Sequence, residues 1–169
     1  MNCIYYSIII PHHNCPEKLQ RCIDTIPYRS DLEIIIVDDN SSPDIVDFDS
    51  FPGQDRNDVI IIKTKEGRGA GYARNQGLSN ARGKWLLFSD ADDEFYPEAL
   101  SKAMDTHIDS KADIIYFNVD VINPTTLSIE NNHLKIHQHI CNGTQSDIEW
   151  LRYNWTVPWG KFVKKELID

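Results

Sequence analysis

Hydrophobic positions along the chain gather into five short runs, at residues 7–10, 33–37, 59–62, 85–88 and 114–121. They are rich in Ile and Val. The first four are almost unbroken rather than alternating, the pattern of strands covered on both faces. A parallel sheet follows. Residues 16–26 place Leu19, Cys22, Ile23 and Ile26 on one helical face, with Pro16 near the start, where a missing N–H does no harm. Residues 71–81 predict a second helix with Gly83 as its stop, and residues 97–108 a third that buries Leu100, Ala103, Met104 and Ile108. Strand and helix thus alternate through about residue 122, which is the α/β pattern of a Rossmann-like α/β/α sandwich around a mostly parallel sheet.

Beyond Val121 the regularity fades. Asn123-Pro124 and Asn131-Asn132 mark turns. The alternation of His133, Lys135, His137 and His139 predicts one solvated face of a strand or hairpin rather than a metal site. Residues 146–152 and 155–167 are aromatic-rich, and the chain ends in what reads as a helix. With no internal repeat, one domain over residues 1–169 is expected.

Composition narrows the classes. At 41% hydrophobic and 25% charged, the chain matches an ordinary globular protein. Its net charge of -9, with no basic block to offset it, argues against nucleic acid as a partner. Cys3, Cys15, Cys22 and Cys141 form no Cys-x-x-Cys pair, so they read as reduced and mostly packed. The first apolar run is short, lacks a preceding Lys or Arg and is closed by Pro11, which suits a strand better than a signal peptide. No stretch approaches the roughly 18–20 apolar residues of a membrane-spanning helix, so the expected compartment is the cytoplasm.

The informative chemistry lies where the strands end. Residues 34–37 run into Asp38-Asp39-Asn40-Ser41, and residues 85–88 into Ser89-Asp90-Ala91-Asp92-Asp93. Ligands of open α/β sheets bind outside the carboxyl ends of the strands, so both acidic groups are expected on one edge. Like charges so crowded raise one another's pKa unless a cation relieves them. Oxygen donors favour magnesium or manganese, completed by phosphate oxygens and water, which points to a diphosphate ligand. A turn or helix cap explains Asp38 and Asp39 equally well. Residues 65–71, Lys-Glu-Gly-Arg-Gly-Ala-Gly, fail the dinucleotide pattern because Tyr72 stands where its third glycine belongs. Glycines entering a helix can still bring amides to an anion, with Arg68 or Arg74 as forked donors, though a plain loop reads as well. His12 and His13 fall on the same edge, as base-stacking contacts, supporting residues or exposed side chains.

These residues make a familiar set. Ser7-Ile-Ile-Ile-Pro11-His-His-Asn14, Ile36-Val-Asp38-Asp39-Asn40-Ser41, Gly71-Tyr-Ala-Arg74-Asn75-Gln-Gly77 and Phe88-Ser-Asp90-Ala-Asp92-Asp93 resemble, in order, the motifs of family 2 glycosyltransferases with the GT-A fold. The likeness covers residues 3–100. Trp159-Gly-Lys-Phe-Val-Lys-Lys-Glu-Leu-Ile is also similar to a segment of bacterial capsule and cell-surface polysaccharide enzymes.

The resemblance implies that Asp39 binds the base, typically uracil, and that Pro11 and His12 line the nucleoside pocket. Arg74 meets phosphate or nucleoside, and Asp90 lies near the ribose. Asn14, Asp38 and Ala91 belong to the same nucleotide-sugar-binding set. Asp92, with Asp93 beside it, takes Mn2+ or Mg2+. It further implies inverting transfer from a nucleotide-diphosphate sugar, a UDP-sugar by family habit, to a saccharide or lipid-linked acceptor in surface polysaccharide synthesis. Peripheral association with the inner membrane face is compatible with that role. The family's carboxylate base usually follows the Trp-x-Lys-Phe-like segment, and none of Asp147, Glu149 or Glu166 stands in that context. The base is therefore expected beyond Asp169, with the chain cut off before it, and His12-His13 replaces the usual apolar-aromatic pair. The alternatives are a donor-binding but catalytically incomplete fragment and a sugar-nucleotide pyrophosphorylase, although the latter's glycine-rich start after the first strand is missing. A haloacid-dehalogenase-type phosphatase would carry its Asp-x-Asp on the first strand.

Overall fold

The computed structural model describes residues 3–51, 53, 56–123, 125–126, 128–130 and 134–168. Among these, eight strands and five helices run in the order β1 (Tyr6–His12), α1 (Pro16–Asp24), β2 (Leu32–Asp38), β3 (Val59–Lys63), α2 (Ala70–Asn80), β4 (Trp85–Phe88), α3 (Pro97–His107), β5 (Ile114–Tyr116), β6 (Val121–Ile122), β7 (Ile129–Glu130), α4 (Leu134–Asn142), α5 (Gln145–Asn154) and β8 (Lys161–Lys164). The central sheet is ordered β3-β2-β1-β4-β8-β5. Its first four strands are parallel, as the apolar runs predict, while β8 is antiparallel to both its neighbours.

Side-chain alternation splits the core into two layers. Ile8, Ile10, Ile34, Ile36, Trp85 and Leu87 face one side, where Leu19, Cys22 and Ile23 of α1 and Leu100 and Met104 of α3 cover them. Ile9, Ile35, Val37 and Leu86 face the other and meet Ala73 of α2. Gly77 lets that helix close in, since a Cβ there would stand 2.4 Å from Ile9 Cγ2. At the edge opposite the strand-end acids, buried Glu33 accepts from the Ser7 hydroxyl at 2.6 Å, the Arg82 amide at 2.6 Å and Arg82 Nε at 2.7 Å.

Four expectations change. The run at 114–121 divides into β5 and β6, the latter pairing with β7 as a separate two-stranded ribbon. Gly83 does not stop α2, which ends at Asn80. A Cβ at Gly83 would lie 2.6 Å from the backbone of Tyr6 and Ser7, so close strand contact is what demands glycine. The final segment is β8 and a short 3-10 turn, Lys165–Leu167, because Phe162 packs against Tyr6, Trp85 and Phe117 in the core. His137 and His139 lie on helix α4 rather than a strand, with Ile136 and Ile140 spaced for a helix. His139 Nδ1 meets Asp147 of α5 at 2.6 Å and its ring stacks on Trp150 at 4.1 Å. Pro124, Asn131, Asn132, His133 and Asp169 lie outside the described residues.

Candidate functional site

The carboxyl ends of β1, β2 and β4 lie side by side. His12 is the register partner of Asp38, the Asp39 amide donates to His12 O at 2.8 Å, and the Ser89 amide to Ile9 O at 3.1 Å. The loops leaving these strands, with residues 64–69 and the start of α2, border a cleft of about 480 Å³ lined by Pro11, His12, His13, Cys15, Lys18, Asp39, Gly67, Gly69, Ala70, Asp90, Ala91 and Asp92. Asn14 and Asn40 turn the first two loops at φ 52° and 63°, the left-handed region that asparagine tolerates better than most residues.

Asn14 laces those loops together. Its amide donates to Ser41 Oγ at 2.8 Å and its side-chain oxygen accepts from the Ser42 amide at 2.8 Å. The buried imidazole of His12 is fixed at both nitrogens. Nε2 lies 3.1 Å from the Cys15 amide, which can only donate, so Nδ1 carries the proton and gives it to Asp38 at 3.0 Å. His13 follows the same logic. Its Nδ1 donates to Asp39 O at 3.0 Å, leaving Nε2 to accept from Asn14 Nδ2 at 2.9 Å.

Five carboxylates share this edge, and each has its own partner. Burial alone would raise the Asp38 carboxyl, but bonds from His12, the Ser41 hydroxyl and the Ser41 amide hold it below the usual carboxylate range. Asp39 accepts from the Gly69 amide at 2.6 Å, the Arg68 amide at 3.2 Å and the Thr64 hydroxyl at 3.3 Å. The amides of the glycine-rich loop therefore do meet an anion, and it is this side chain. Arg74 pairs with Asp90, and Lys18 with Asp92 at 3.2 Å. Asp93 closes a reciprocal turn with Asp90, its carboxylate accepting from the Asp90 amide at 3.0 Å. Its pKa is raised, first by burial and then by Asp90 and Asp92.

The expected crowding is thus relieved in large part within the chain. Asp38, Arg74 and Asp93, with Asn14, are not among the cleft-lining residues and brace them from behind, while Asp39, Asp90 and Asp92 belong to the lining. Among the described residues no three His, Cys, Asp or Glu side chains converge as ready metal ligands. The donor set fits a hard divalent ion held by Asp92 and otherwise by ligand phosphate oxygens and water. Asp93, expected beside Asp92, accepts from the Asp90 amide. Neither Asp147 nor Glu166 is poised as a base: Asp147 is taken up by Thr144 and His139, and Glu166 follows β8 at the opposite edge, near Lys164. Lys18 escapes sequence reasoning because nothing but its place in the first turn of α1 marks it.

A family model described as glycosyl transferase family 2 matches residues 7–163. The chain is 28% identical over 174 residues to the uncharacterized glycosyltransferase YibD of Escherichia coli K12, covering 96% of this chain and 49% of that protein. It is 32% identical over 123 residues to the poly(ribitol-phosphate) beta-glucosyltransferase of Bacillus spizizenii W23, covering 69% of this chain and 19% of that protein. The chain thus spans half or less of these relatives' lengths. The crystal structure of S. aureus TarS 1-349 in complex with UDP superposes with a TM-score of 0.64 at 21% identity, over 72% of this chain and 37% of that one, which establishes a shared fold, GT-A. No helix among the described residues is long and apolar enough to cross a membrane.

Proposed function

The chain belongs to glycosyl transferase family 2, and from that premise we propose that its cleft binds the nucleotide-diphosphate sugar donor of an inverting, metal-dependent glycosyltransferase of surface polysaccharide synthesis. The observation that carries the reading is the convergence of Asp39, Asp90 and Asp92 with Gly67 and Gly69 around one open cleft at the ends of parallel strands.

The residues divide the work by chemistry. An ionised Asp39 can only accept hydrogen bonds, and beyond those it receives from residues 64, 68 and 69 it keeps a lone pair for a base N–H, as uracil offers. His13, with its tautomer set, walls the base side of the cleft. Asp90 accepts from a ribose hydroxyl, and Arg74, paired with Asp90, holds that carboxylate in place from behind the cleft. Asp92 would hold a magnesium or manganese ion, which would supply charge neutralisation for the diphosphate leaving group. Transfer breaks the bond from the anomeric carbon to the diphosphate as an acceptor hydroxyl oxygen bonds from the opposite face, its proton passing to a carboxylate base. TarS was crystallised with UDP and the B. spizizenii relative is a poly(ribitol-phosphate) glucosyltransferase, which supports UDP as donor nucleotide and a cell-surface polymer as acceptor class.

The test is calorimetric titration of UDP into the protein with manganese, magnesium or EDTA, beside an Asp92→Ala variant. Binding that requires the ion and vanishes in the variant is the expected outcome. Metal-independent UDP binding sinks the metal part of the reading, and absence of binding to any nucleoside diphosphate sinks the whole.

A further inference from the structure

Lys18 is the single Lys or Arg among the described residues lining the cleft, which Asp39, Asp90 and Asp92 also line. The other nearby cations are engaged elsewhere. Arg74 pairs with Asp90, and Arg68 stacks over the Tyr72 ring at 4.5 Å. The Lys18 ammonium lies 3.2 Å from Asp92, and both side chains are about half exposed, 51% and 58%. An ion pair this open is weak and exchanges readily with solvent or another ion.

That pair is not what holds the loop after β4. Along the same face of α1, Arg21 approaches Glu94 at 4.0 Å, Thr25 Oγ1 accepts from the Phe95 amide at 2.9 Å, and Cys22 Sγ lies 3.8 Å from Asp90 O. With the loop fastened by these contacts, the Lys18 head on its four-carbon stem is free to change partners. A diphosphate arriving among three carboxylates needs positive charge beyond one divalent ion, and Lys18 is the nearest source.

Resting on the donor-cleft reading, we propose that Lys18 is an exchangeable internal cation. It neutralises Asp92 while no divalent ion is bound, yields that carboxylate when the ion arrives, and then pairs with a diphosphate oxygen. Lys18 therefore competes with metal in the empty cleft and cooperates with it once the nucleotide is present. It makes metal and nucleotide binding more strongly coupled than the carboxylates alone would make them.

Lys18→Met keeps the length of the stem and removes the charge. Calorimetry with manganese alone is expected to show binding roughly two- to fivefold tighter in the variant, the range an exposed ion pair commands. UDP titrated at saturating manganese should bind about tenfold more weakly, as loss of one charge-assisted contact predicts. Lys18→Arg should recover most of the UDP affinity. Thermal denaturation of the variant should match the parent, since the loop keeps its other anchors. If manganese binds Lys18→Met no tighter, or UDP binds it equally well, the inference is overturned while the donor site stands. A parent protein that binds neither manganese nor UDP refutes the donor-cleft reading itself, and this inference with it.

Discussion

Asp39→Asn removes one charge with almost no change of shape, and the geometry around the carboxylate sets its effect. In the parent, one carboxylate oxygen takes the Gly69 amide at 2.6 Å, and the other takes the Arg68 amide at 3.2 Å and the Thr64 hydroxyl at 3.3 Å. An asparagine has a single acceptor oxygen. It keeps that oxygen toward Gly69, where the contact is shortest, and turns its NH2 toward Thr64, whose hydroxyl can rotate to accept. The Arg68 bond is then lost, at about 1 kcal/mol. The Gly69 bond falls from charge-assisted to neutral, about 1 kcal/mol more, and the negative charge at the start of α2 contributes roughly a further 0.5 kcal/mol. The total of about 2.5 kcal/mol acts on the segment before α2, which opens locally rather than unfolding the sheet. Hydrogen exchange at the Gly69 amide should accordingly quicken by roughly sixtyfold, at 1.4 kcal/mol per decade. Exchange at Ile35 and Ile36, deep in β2, should be unchanged. A Gly69 rate within about threefold of the parent refutes the idea that Asp39 holds this loop.

Three further outcomes rest on the same accounting of charges. Arg82→Ala strips buried Glu33 of its guanidinium while leaving the Ser7 and backbone partners, so urea denaturation should show a loss of about 2–3 kcal/mol, and a loss below about 0.5 kcal/mol would contradict a stabilising pair. Acid should act through Asp38: its folded pKa is depressed, so the unfolded chain binds more protons as pH falls, and stability present above about pH 4 is lost as pH drops through the folded value. Asp93 has the opposite sign. Its raised pKa means its contribution is full at low pH and lost as pH rises, so Asp93→Asn should leave stability at neutral pH equal or higher, whereas a clear drop in melting temperature there would contradict it.

The parallel half of the sheet was legible because four nearly unbroken apolar runs leave few other arrangements, and the strand-end acids were legible because strand polarity sends them all to one edge. What the acids hold was not. Asp39 closes on amides 29 and 30 residues away, and Arg74 reaches Asp90 across 16, contacts that no local spacing encodes. Strand β8, only four residues long, hid within an aromatic-rich segment, and its partners, β4 and β5, are remote in sequence. The histidine alternation misled because His137 and Cys141, like Ile136 and Ile140, also stand four apart, so periods of two and 3.6 overlap there and contact with α5 decides. Lys18 carries no signature beyond its distance from a strand end.

The position of β8 between β4 and β5 shapes how the molecule is assembled on the ribosome. The strands and loops that border the cleft all lie before residue 94, so they emerge first and can pair while the rest is still being made. Until residues 161–164 follow, however, the β4 edge beside Trp85 and Leu87 has no strand to cover it, and β5 has nothing to join it to the sheet. During that interval a nascent chain offers an open apolar edge, the kind of surface that recruits neighbouring chains. Arrival of β8 therefore marks the moment at which aggregation risk falls, well after the cleft has taken shape.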